Sequence, residues 1–316
     1  MDFLTRFCLL TLVAVLSLPI SAAAAPQGWT ALLEPAQLAN ILAATPEVRI
    51  VQVTGDYNEG HIPGAISAPY AQFRGPRENP GAVSSIETLT PIIQGLGLNA
   101  DTPVVVVHAG SNAADFGAAA RVYWTLKSLG IKNLALLNGG FNAWSAANLP
   151  VSKQTHCVAA SSFKPQWSDQ YRARTTEIEE LVNQNSGRLL DARTPDFYEG
   201  LTSSTGMPGT IKGASNLSFT SLFEGSRVKP AAQVSDILAA QGQPAASVTV
   251  SFCNTGHLAA INWFILSELQ GVPNTKLYAE SMTEWSMASR PMDNEPSRLK
   301  HYWRMTTDWF GSLLGA

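Results

Sequence analysis

The chain has 316 residues, a net charge of -3 at pH 7, and hydrophobic and charged contents of 45% and 14%. A chain of this length has room for two domains of ordinary size, and its hydrophobic content excludes a disordered protein. The charge is close to neutral and the Lys and Arg residues form no cluster, which argues against nucleic-acid binding.

The first 25 residues have the pattern of a secretory signal peptide. Arg6 provides a positive n-region, Phe7 to Ile20 an apolar h-region, and Ser21 to Ala25 a zone of small residues suited to cleavage. The apolar run is short for a membrane span, so an uncleaved anchor is the weaker alternative. We therefore expect a periplasmic protein without membrane contact, cleaved after one of three alanines, Ala23, Ala24 or Ala25.

Short apolar strands alternate with helical stretches over residues 26–150. The predicted strands are Ile50–Val53, Val104–Val107 and Leu134–Leu137. The predicted helices are Pro35–Ala43, Ile86–Leu96 and Ala118–Leu129. This alternation predicts an α/β fold with a mostly parallel sheet and helices on both faces.

An internal repeat with a period of about 145 residues divides the chain into two copies. The sequence G-H-I-P-G-A at Gly60–Ala65 corresponds to G-T-I-K-G-A at Gly209–Ala214. Further along, L-N-G-G-F-N-A-W ends at Trp144 and L-Y-A-E-S-M-T-E-W ends at Trp285. Strands of the second copy are predicted at Leu189–Asp191, Val248–Phe252 and Lys276–Tyr278. The repeat therefore predicts two tandem domains, 26–150 and 173–292, joined by a linker at 151–172.

Two segments lie outside this repeat. Residues 293–316 form a tail with a predicted helix over Ser297–Leu314. This helix would lay four aromatic side chains on the body of the protein rather than on a membrane or a partner, namely Tyr302, Trp303, Trp309 and Phe310. Residues 201–208 are an insertion rich in Ser, Thr and Gly, either a mobile flap over a cleft or a tolerated surface loop.

The stretch with the clearest chemical content is S-F-C-N-T-G-H-L-A-A at Ser251–Ala260. Cys253 ends a predicted strand and precedes a helix predicted over Leu258–Leu269, so it lies where unpaired N–H groups and the positive end of a helix dipole meet. Such a position favours the thiolate, which is the nucleophilic form. Gly256 supplies the backbone freedom that a tight turn needs. The alternative is that Cys253 is a small buried core residue.

Other cysteine chemistries fit this sequence less well. A metal site at Cys253 and His257 lacks further ligands at suitable spacing. A cysteine-dependent phosphatase needs an Arg where Leu258 and Ala259 stand. The two cysteines that remain after signal removal are too few for a disulfide framework, so we expect Cys157 to be a bystander. We predict no metal and no organic cofactor.

These features together resemble the tandem-domain rhodaneses, the thiosulfate sulfurtransferase family. The residues that carry the resemblance include D-Y-N-E-G-H-I-P-G-A at Asp56–Ala65, D-A-R-T-P-D-F-Y-E-G at Asp191–Gly200 and the Cys253 loop. In that family an inactive first copy packs against a catalytic second copy. Ala109 stands in the first copy at the place of Cys253. The resemblance therefore implies that the first domain is catalytically silent and supplies one wall of the cleft.

The resemblance also implies a reaction and a set of site residues. A persulfide on Cys253 would carry sulfane sulfur from a donor such as thiosulfate to a thiol or to cyanide. The implied substrate-binding groups are the backbone of the loop and one side chain, namely Asn254, Thr255, Gly256, His257, Leu258 and Arg193. Arg193 can equally form a structural ion pair with Asp191 or Asp196. For Glu199 a surface role is favoured, and for His61 a hydrogen bond within a turn.

The Cys253 loop departs from the family in its charge. Thiosulfate-using loops of the family carry Arg or Lys, whereas this loop has only His257, which is cationic below an ordinary pKa of about 6.5. The G-S-G-V-T pattern of mercaptopyruvate-specific relatives is also absent. The donor therefore stays open between thiosulfate, 3-mercaptopyruvate and a persulfide or polysulfide. A non-enzymatic alternative is a carrier that passes persulfide sulfur to a periplasmic acceptor protein.

Overall fold

The structure is a computed structural model that describes residues 25–205, 207–241, 246–288 and 290–296. The predicted signal peptide, apart from Ala25, and the predicted tail helix over Ser297–Leu314 lie outside the described residues. Within the described part of the chain, no helix is long and apolar enough to cross a membrane.

The first domain is built on a five-stranded sheet in which every strand pair is parallel. The strand order is β1-β5-β4-β2-β3. The strands are β1 Leu32–Leu33, β2 Arg49–Gln52, β3 Ala65–Ser67, β4 Val104–Val107 and β5 Leu134–Leu137. The helices are α1 Pro35–Ala44, α2 Ile86–Gly95, α3 Ala113–Ser128 and α4 Gly140–Ala146, with a 3₁₀ turn at Tyr70–Phe73.

The second domain repeats this arrangement with a four-stranded parallel sheet. Its order is β12-β11-β6-β8, which corresponds to β5-β4-β2-β3 of the first sheet. The strands are β6 Arg188–Asp191, β7 Thr210–Ile211, β8 Ser215–Asn216, β9 Phe223–Glu224, β10 Arg227–Val228, β11 Thr249–Phe252, β12 Thr275–Leu277 and β13 Met292–Asp293, of which β7 pairs with β13 and β9 with β10 antiparallel. The helices are α5 Thr175–Gln184, α6 Pro195–Tyr198, α7 Ala231–Ala240, α8 Leu258–Phe264 and α9 Ser281–Met287.

Strand β4 shows why an unbroken apolar run makes a central strand here. Successive side chains of a strand point to opposite faces, so a strand covered on both faces must be apolar at every position. Val104 and Val106 pack into one hydrophobic cluster, while Val105 and Val107 pack into another on the opposite face. The sheet is therefore covered by helices on both faces, as the sequence predicted.

The two domains share one continuous hydrophobic core. Helix α3 of the first domain packs on α8 of the second, and the cluster around them contains residues of both domains. The fully buried Phe116 makes edge-to-face contacts with Phe223 and Phe264, at centroid distances of 5.3 and 5.7 Å. Tyr123 donates a 2.6 Å hydrogen bond to Glu268 across the same interface. The repeat copies are thus joined through their cores.

Two helix predictions differ from the structure. Helix α3 begins at Ala113, five residues before its predicted start, because the Asn112 side chain caps it by accepting a 3.0 Å hydrogen bond from the Asp115 backbone. The helix predicted over Leu258–Leu269 is α-helical only to Phe264 and continues as a π-helical turn over Ile265–Leu269. Apolar periodicity does not distinguish these two hydrogen-bond patterns over so few residues.

The segment predicted as a linker runs irregularly but is held against the first domain. Ser152 pairs with His61 in an antiparallel bridge, Ser161 donates to the Gln94 carbonyl, and Trp124 donates to the Tyr171 carbonyl. The segment has little periodicity in its sequence, so the sequence did not predict these contacts. At its end the segment also reaches the second domain, where Arg172 pairs with Leu277 and Tyr171 contacts Trp263.

Replacing Phe116 by Ala tests the shared core. We expect a loss of about 3–5 kcal/mol in the free energy of unfolding, because a fully buried aromatic side chain leaves a cavity between two domains. Urea unfolding followed by tryptophan fluorescence measures this change. Val151→Ala is the matched control, since Val151 is 47% exposed, and we expect it to change stability by less than about 0.5 kcal/mol. Equal stabilities of the two variants would contradict a shared core.

Candidate active site

Cys253 lies at the carboxyl end of β11, on the loop that leads into α8. Its side chain is 1% exposed and it is a free thiol. The loop Asn254–His257 and the first turn of α8 surround it. Cys253 thus lies at the strand end that the sequence predicted, at the edge where reactive groups of parallel sheets gather, and its role as a nucleophile stays a prediction.

Ser281 fixes the shape of the loop from the start of α9. Its hydroxyl accepts hydrogen bonds from the backbone N–H groups of Cys253 and Gly256, at 3.0 and 3.1 Å, and donates to the Tyr278 carbonyl at 2.7 Å. The next two residues of α9 donate to the carbonyls of Cys253 and Asn254. A single hydroxyl thus holds both ends of the turn.

Gly256 is required by its surroundings as well as by its backbone conformation. Its φ is +66°, a region that side chains rarely adopt. A Cβ at this position would collide with the Ala279 carbonyl oxygen and with the Arg121 guanidinium. The loop therefore passes closer to the rest of the protein than any residue with a side chain permits.

Several backbone N–H groups of the loop have no hydrogen-bond partner in the part of the chain that the structure describes. Among the described residues, no acceptor lies within hydrogen-bond range of the N–H groups of Asn254, Thr255, His257 or Leu258. The N–H of Gly256 is already bound by Ser281. Of the five loop N–H groups that were predicted to bind substrate, four have no acceptor among the described residues and one, that of Gly256, is bound by Ser281.

The first domain supplies the cations that the loop itself lacks. Arg74 follows the 3₁₀ turn at Tyr70–Phe73, and its Nη1 donates a 3.0 Å hydrogen bond to the carbonyl of Thr255. Arg121, on α3, lies behind the loop. Its Nη2 donates to the Gly81 carbonyl at 2.8 Å. Burial lowers the pKa of Arg121 to about 10, so the group is still charged at neutral pH.

His257 joins the loop to the first domain and is neutral at pH 7. Its Nε2 lies 2.9 Å from the Ala114 carbonyl, an acceptor, so Nε2 carries the proton. Its Nδ1 then accepts from the Tyr70 hydroxyl at 3.0 Å. Burial, and then the charge of Arg74, lower the pKa of His257 to about 4. The His257 side chain is therefore neutral even at the mildly acidic pH where an unperturbed histidine would be charged, and the prediction that its backbone N–H binds substrate stays open.

Arg193 forms the structural ion pair that the sequence left as an alternative. It is 1% exposed, and its Nη2 lies 2.5 Å from the fully buried Asp191 carboxylate. It also donates to the Gly209 carbonyl at 2.8 Å and to the Asn254 side chain at 3.2 Å. Arg193 thus braces the loop from behind, and a direct contact with substrate stays a prediction.

The remaining polar candidates have surface or turn positions. Glu199 is exposed on the second domain. The ring nitrogens of His61 lie 2.8 and 2.9 Å from the carbonyls of Tyr57 and Gln154, so His61 bonds turns as predicted. In the insertion, the Thr205 carbonyl accepts a 3.3 Å hydrogen bond from Ser286. Within the described residues, no three His, Cys, Asp or Glu side chains are placed to hold a metal ion.

In the first domain, the N–H groups of the equivalent loop are bound by a side chain of the same domain, that of Asp115. The carboxylate of Asp115 accepts from the N–H groups of Gly110 and Ser111, at 2.7 and 3.2 Å, and from the Thr54 hydroxyl at 2.6 Å. Burial opposes the charge of this carboxylate, but hydrogen bonds from His108 and Thr54 outweigh it and hold the pKa of Asp115 well below its usual range. Ala109 stands there without a nucleophile. Two N–H groups of the first copy's loop are therefore bound by a carboxylate of the same domain.

Sequence reasoning missed four residues of this site, namely Tyr70, Arg74, Arg121 and Ser281. Three of them belong to the first domain, where no motif marks them. Ser281 could have been found from the sequence, because it lies within the L-Y-A-E-S-M-T-E-W motif of the repeat. Its φ of +54° is the strained feature that the sequence does not show.

Both copies of the repeat match a known domain family. The chain matches the rhodanese-like domain over residues 34–147 and again over residues 175–288. The chain belongs to the rhodanese family. Its architecture of two tandem rhodanese domains is the one predicted from the repeat.

Relatives of this rhodanese are named as sulfurtransferases. A protein of Synechococcus elongatus named "Putative thiosulfate sulfurtransferase" is 26% identical over 311 residues, which cover 91% of this chain and 96% of the relative. The "Thiosulfate sulfurtransferase" of Azotobacter vinelandii is 30% identical over 80% of this chain and 93% of its own. Among solved structures, Escherichia coli SseA superposes with a TM-score of 0.71 at 22% identity, over 80% of this chain and 98% of that chain.

The neutral, buried His257 makes stability depend on pH. In the unfolded chain its pKa is about 6.5, whereas in the folded rhodanese it is about 4. Between these values the unfolded state binds more protons, so the free energy of unfolding falls as the pH is lowered. We expect this contribution to reach about 3 kcal/mol at most by pH 4.

Urea unfolding at pH 7.0, 5.5 and 4.5 checks the prediction, with His257→Gln as the comparison. Glutamine can accept from Tyr70 and donate to Ala114 but does not titrate. We expect the two proteins to converge in stability as the pH falls. A constant difference across the series would assign the acid sensitivity to other groups.

Proposed function

We propose that this rhodanese transfers sulfane sulfur from thiosulfate to a thiol or to cyanide through a persulfide on Cys253. Sulfur transfer is the activity that its family and its named relatives support. The observation that carries the proposal is the contrast between the two loops. The N–H groups beside Ala109 bind Asp115, whereas those beside Cys253 lack an acceptor among the described residues.

The reaction proceeds in two displacements on sulfur. The Cys253 thiolate attacks the outer sulfur of thiosulfate, the S–S bond breaks, and sulfite leaves with the electron pair. The terminal sulfur of the resulting persulfide carries negative charge. The free N–H groups of Asn254, Thr255, His257 and Leu258 would stabilise that charge without any metal or cofactor. Cyanide then attacks the terminal sulfur, leaves as thiocyanate and returns the thiolate.

Intact-mass spectrometry tests the proposal directly. We expect the purified protein to gain one sulfur atom on incubation with thiosulfate and to lose it on addition of cyanide. Cys253→Ser should gain none, while Cys157→Ser, which removes the exposed cysteine, should behave as the wild type. Sulfur transfer by Cys253→Ser from every donor tried would refute the assignment of the nucleophile.

A sulfur carrier is the second candidate. A relative from Thermus thermophilus, 28% identical over 257 residues, is named "Sulfur carrier protein TtuD". A carrier holds a stable persulfide and turns over slowly with small acceptors, but it transfers sulfur rapidly to a periplasmic acceptor protein. A related protein of Escherichia coli, 24% identical over 254 residues, is named "3-mercaptopyruvate sulfurtransferase". Mercaptopyruvate and polysulfide therefore belong in the panel of donors.

We further propose that the protein acts after export to the periplasm. The support is the pattern of Arg6, the apolar run and the small residues up to Ala25. In the periplasm the partners would be a small sulfur donor and a thiol, cyanide or protein acceptor. Neither nucleic acid nor a membrane enters this scheme once the signal has been removed.

N-terminal sequencing of the protein expressed in a Gram-negative host checks the export proposal. We expect a periplasmic product that begins at Ala24, Ala25 or Pro26, because cleavage follows small residues. A chain that starts at Pro26 should stay in the cytoplasm. Recovery of the full chain with its first 25 residues in the cytoplasm would contradict export.

A further inference from the structure

We propose that Arg74 of the silent first domain forms an anion subsite beside Cys253. This subsite would select donors whose sulfane sulfur is attached to an oxyanion group, such as thiosulfate and thiosulfonates, over persulfides, which have no oxyanion group. The inference rests on the proposed function, because it names the class of donor for that same site. It also answers the departure seen in the sequence, where the Cys253 loop carries no Arg or Lys.

Arg74 is held by two direct hydrogen bonds, and one of its two partners is itself hydrogen-bonded to His257. Its Nη1 donates to the Thr255 carbonyl and to the Tyr70 hydroxyl, both at 3.0 Å. The Tyr70 hydroxyl donates a hydrogen bond to Nδ1 of His257, whose Nε2 donates to the Ala114 carbonyl of the first domain. Burial raises the pKa of Tyr70, which keeps the hydroxyl protonated. The guanidinium is therefore held against Thr255, which follows Cys253 by two positions in the sequence.

Arg74 keeps donors free for a ligand. A guanidinium has five N–H donors, and only Nη1 of Arg74 is bound by the described residues. The side chain is partly exposed, and among the described residues no carboxylate is paired with it. Its planar fork suits an oxyanion, which it can bind through two parallel hydrogen bonds.

The other cations around the loop are not free to bind a donor. Arg121 is 1% exposed and lies behind Gly256, so it adds positive charge without reaching the cleft. Arg193 is committed to Asp191 and Gly209. His257 is neutral at pH 7 because its pKa is about 4. Of the cations that the structure describes near Cys253, Arg74 is the one with both charge and available donors.

The chemistry of the first displacement gives Arg74 a purpose beyond binding. As the S–S bond of thiosulfate breaks, the electron pair moves onto the leaving sulfite, and negative charge grows on its oxygens. A guanidinium that contacts those oxygens stabilises the transition state more than the bound donor. A persulfide donor releases a thiolate without an oxyanion, so it gains little from the same group.

Single-turnover loading of Cys253, followed by intact mass, tests this inference with two donors. One is thiosulfate and the other is 2-hydroxyethyl persulfide, which has no oxyanion. We expect Arg74→Gln to lower the second-order rate of loading from thiosulfate about 10- to 100-fold and to change loading from the persulfide less than about threefold. Arg74→Lys should recover part of the loss, since it restores charge but not the fork.

Arg77→Gln is the matched control. Arg77 is exposed and lies three positions after Arg74 in the sequence, and the substitution removes the same charge. We expect it to load from both donors as the wild type does. Loading from thiosulfate should also slow with rising ionic strength in the wild type, and this dependence should be weaker in Arg74→Gln. These two readouts separate a local subsite from the general charge of the first domain.

Four outcomes overturn the inference. Equal losses with both donors would make Arg74 a positioning residue of the loop, and no loss would remove it from the site. A wild type that loads from the persulfide but not from thiosulfate would refute the oxyanion subsite while leaving sulfur transfer intact. A wild type that loads from neither donor would refute the proposed function as well.

Discussion

The close approach of the Gly256 backbone to the Ala279 carbonyl and to Arg121 is the constraint on which the site depends. No side chain fits at this position, and the backbone has a positive φ. The loop is therefore pressed between α9 of its own domain and α3 of the first domain. With Ser281 holding the N–H groups of Cys253 and Gly256, the neighbouring N–H groups are left for a ligand. The cradle is thus a product of tertiary packing more than of the loop sequence.

The same constraint shows what the first domain, which has Ala109 at the position of Cys253, contributes to this loop. Its own loop is closed by Asp115, which occupies the N–H groups that would otherwise bind an anion. What it contributes lies elsewhere, in the packing of α3 on α8 and in the groups that hold the second loop. Arg121 is buried against Trp124, with its guanidinium carbon 4.8 Å from the ring centroid. The second copy therefore holds the buried thiol, and the first copy supplies two guanidinium groups that contact its loop.

The sequence predicted the features that local pattern determines. Strand β4 was assigned to its exact bounds because four valines buried on both faces leave no other interpretation, and Cys253 was placed by the strand before it and the helix after it. The start of α3 was missed because it is fixed by a hydrogen bond to the Asn112 side chain, which apolar periodicity does not show. Tyr70 and Arg74 were missed for a stronger reason. Their partners His257 and Thr255 are more than 180 residues away, and neither copy's motif refers to the other domain.

His257 shows why the type of residue alone does not fix the pKa, and hence the charge, of a side chain. A lone histidine in a loop predicts a charge that appears below about pH 6.5. Packing the ring between Tyr70 and Ala114 removes its hydration, and the charges of Arg74 and Arg121 oppose its protonation. The positive charge around Cys253 instead comes from guanidinium groups, which stay charged at neutral pH even when burial lowers the pKa, as at Arg121. Electrostatic attraction of an anionic donor should therefore be almost independent of pH near neutrality, while the stability of the interface that carries those charges falls with acid.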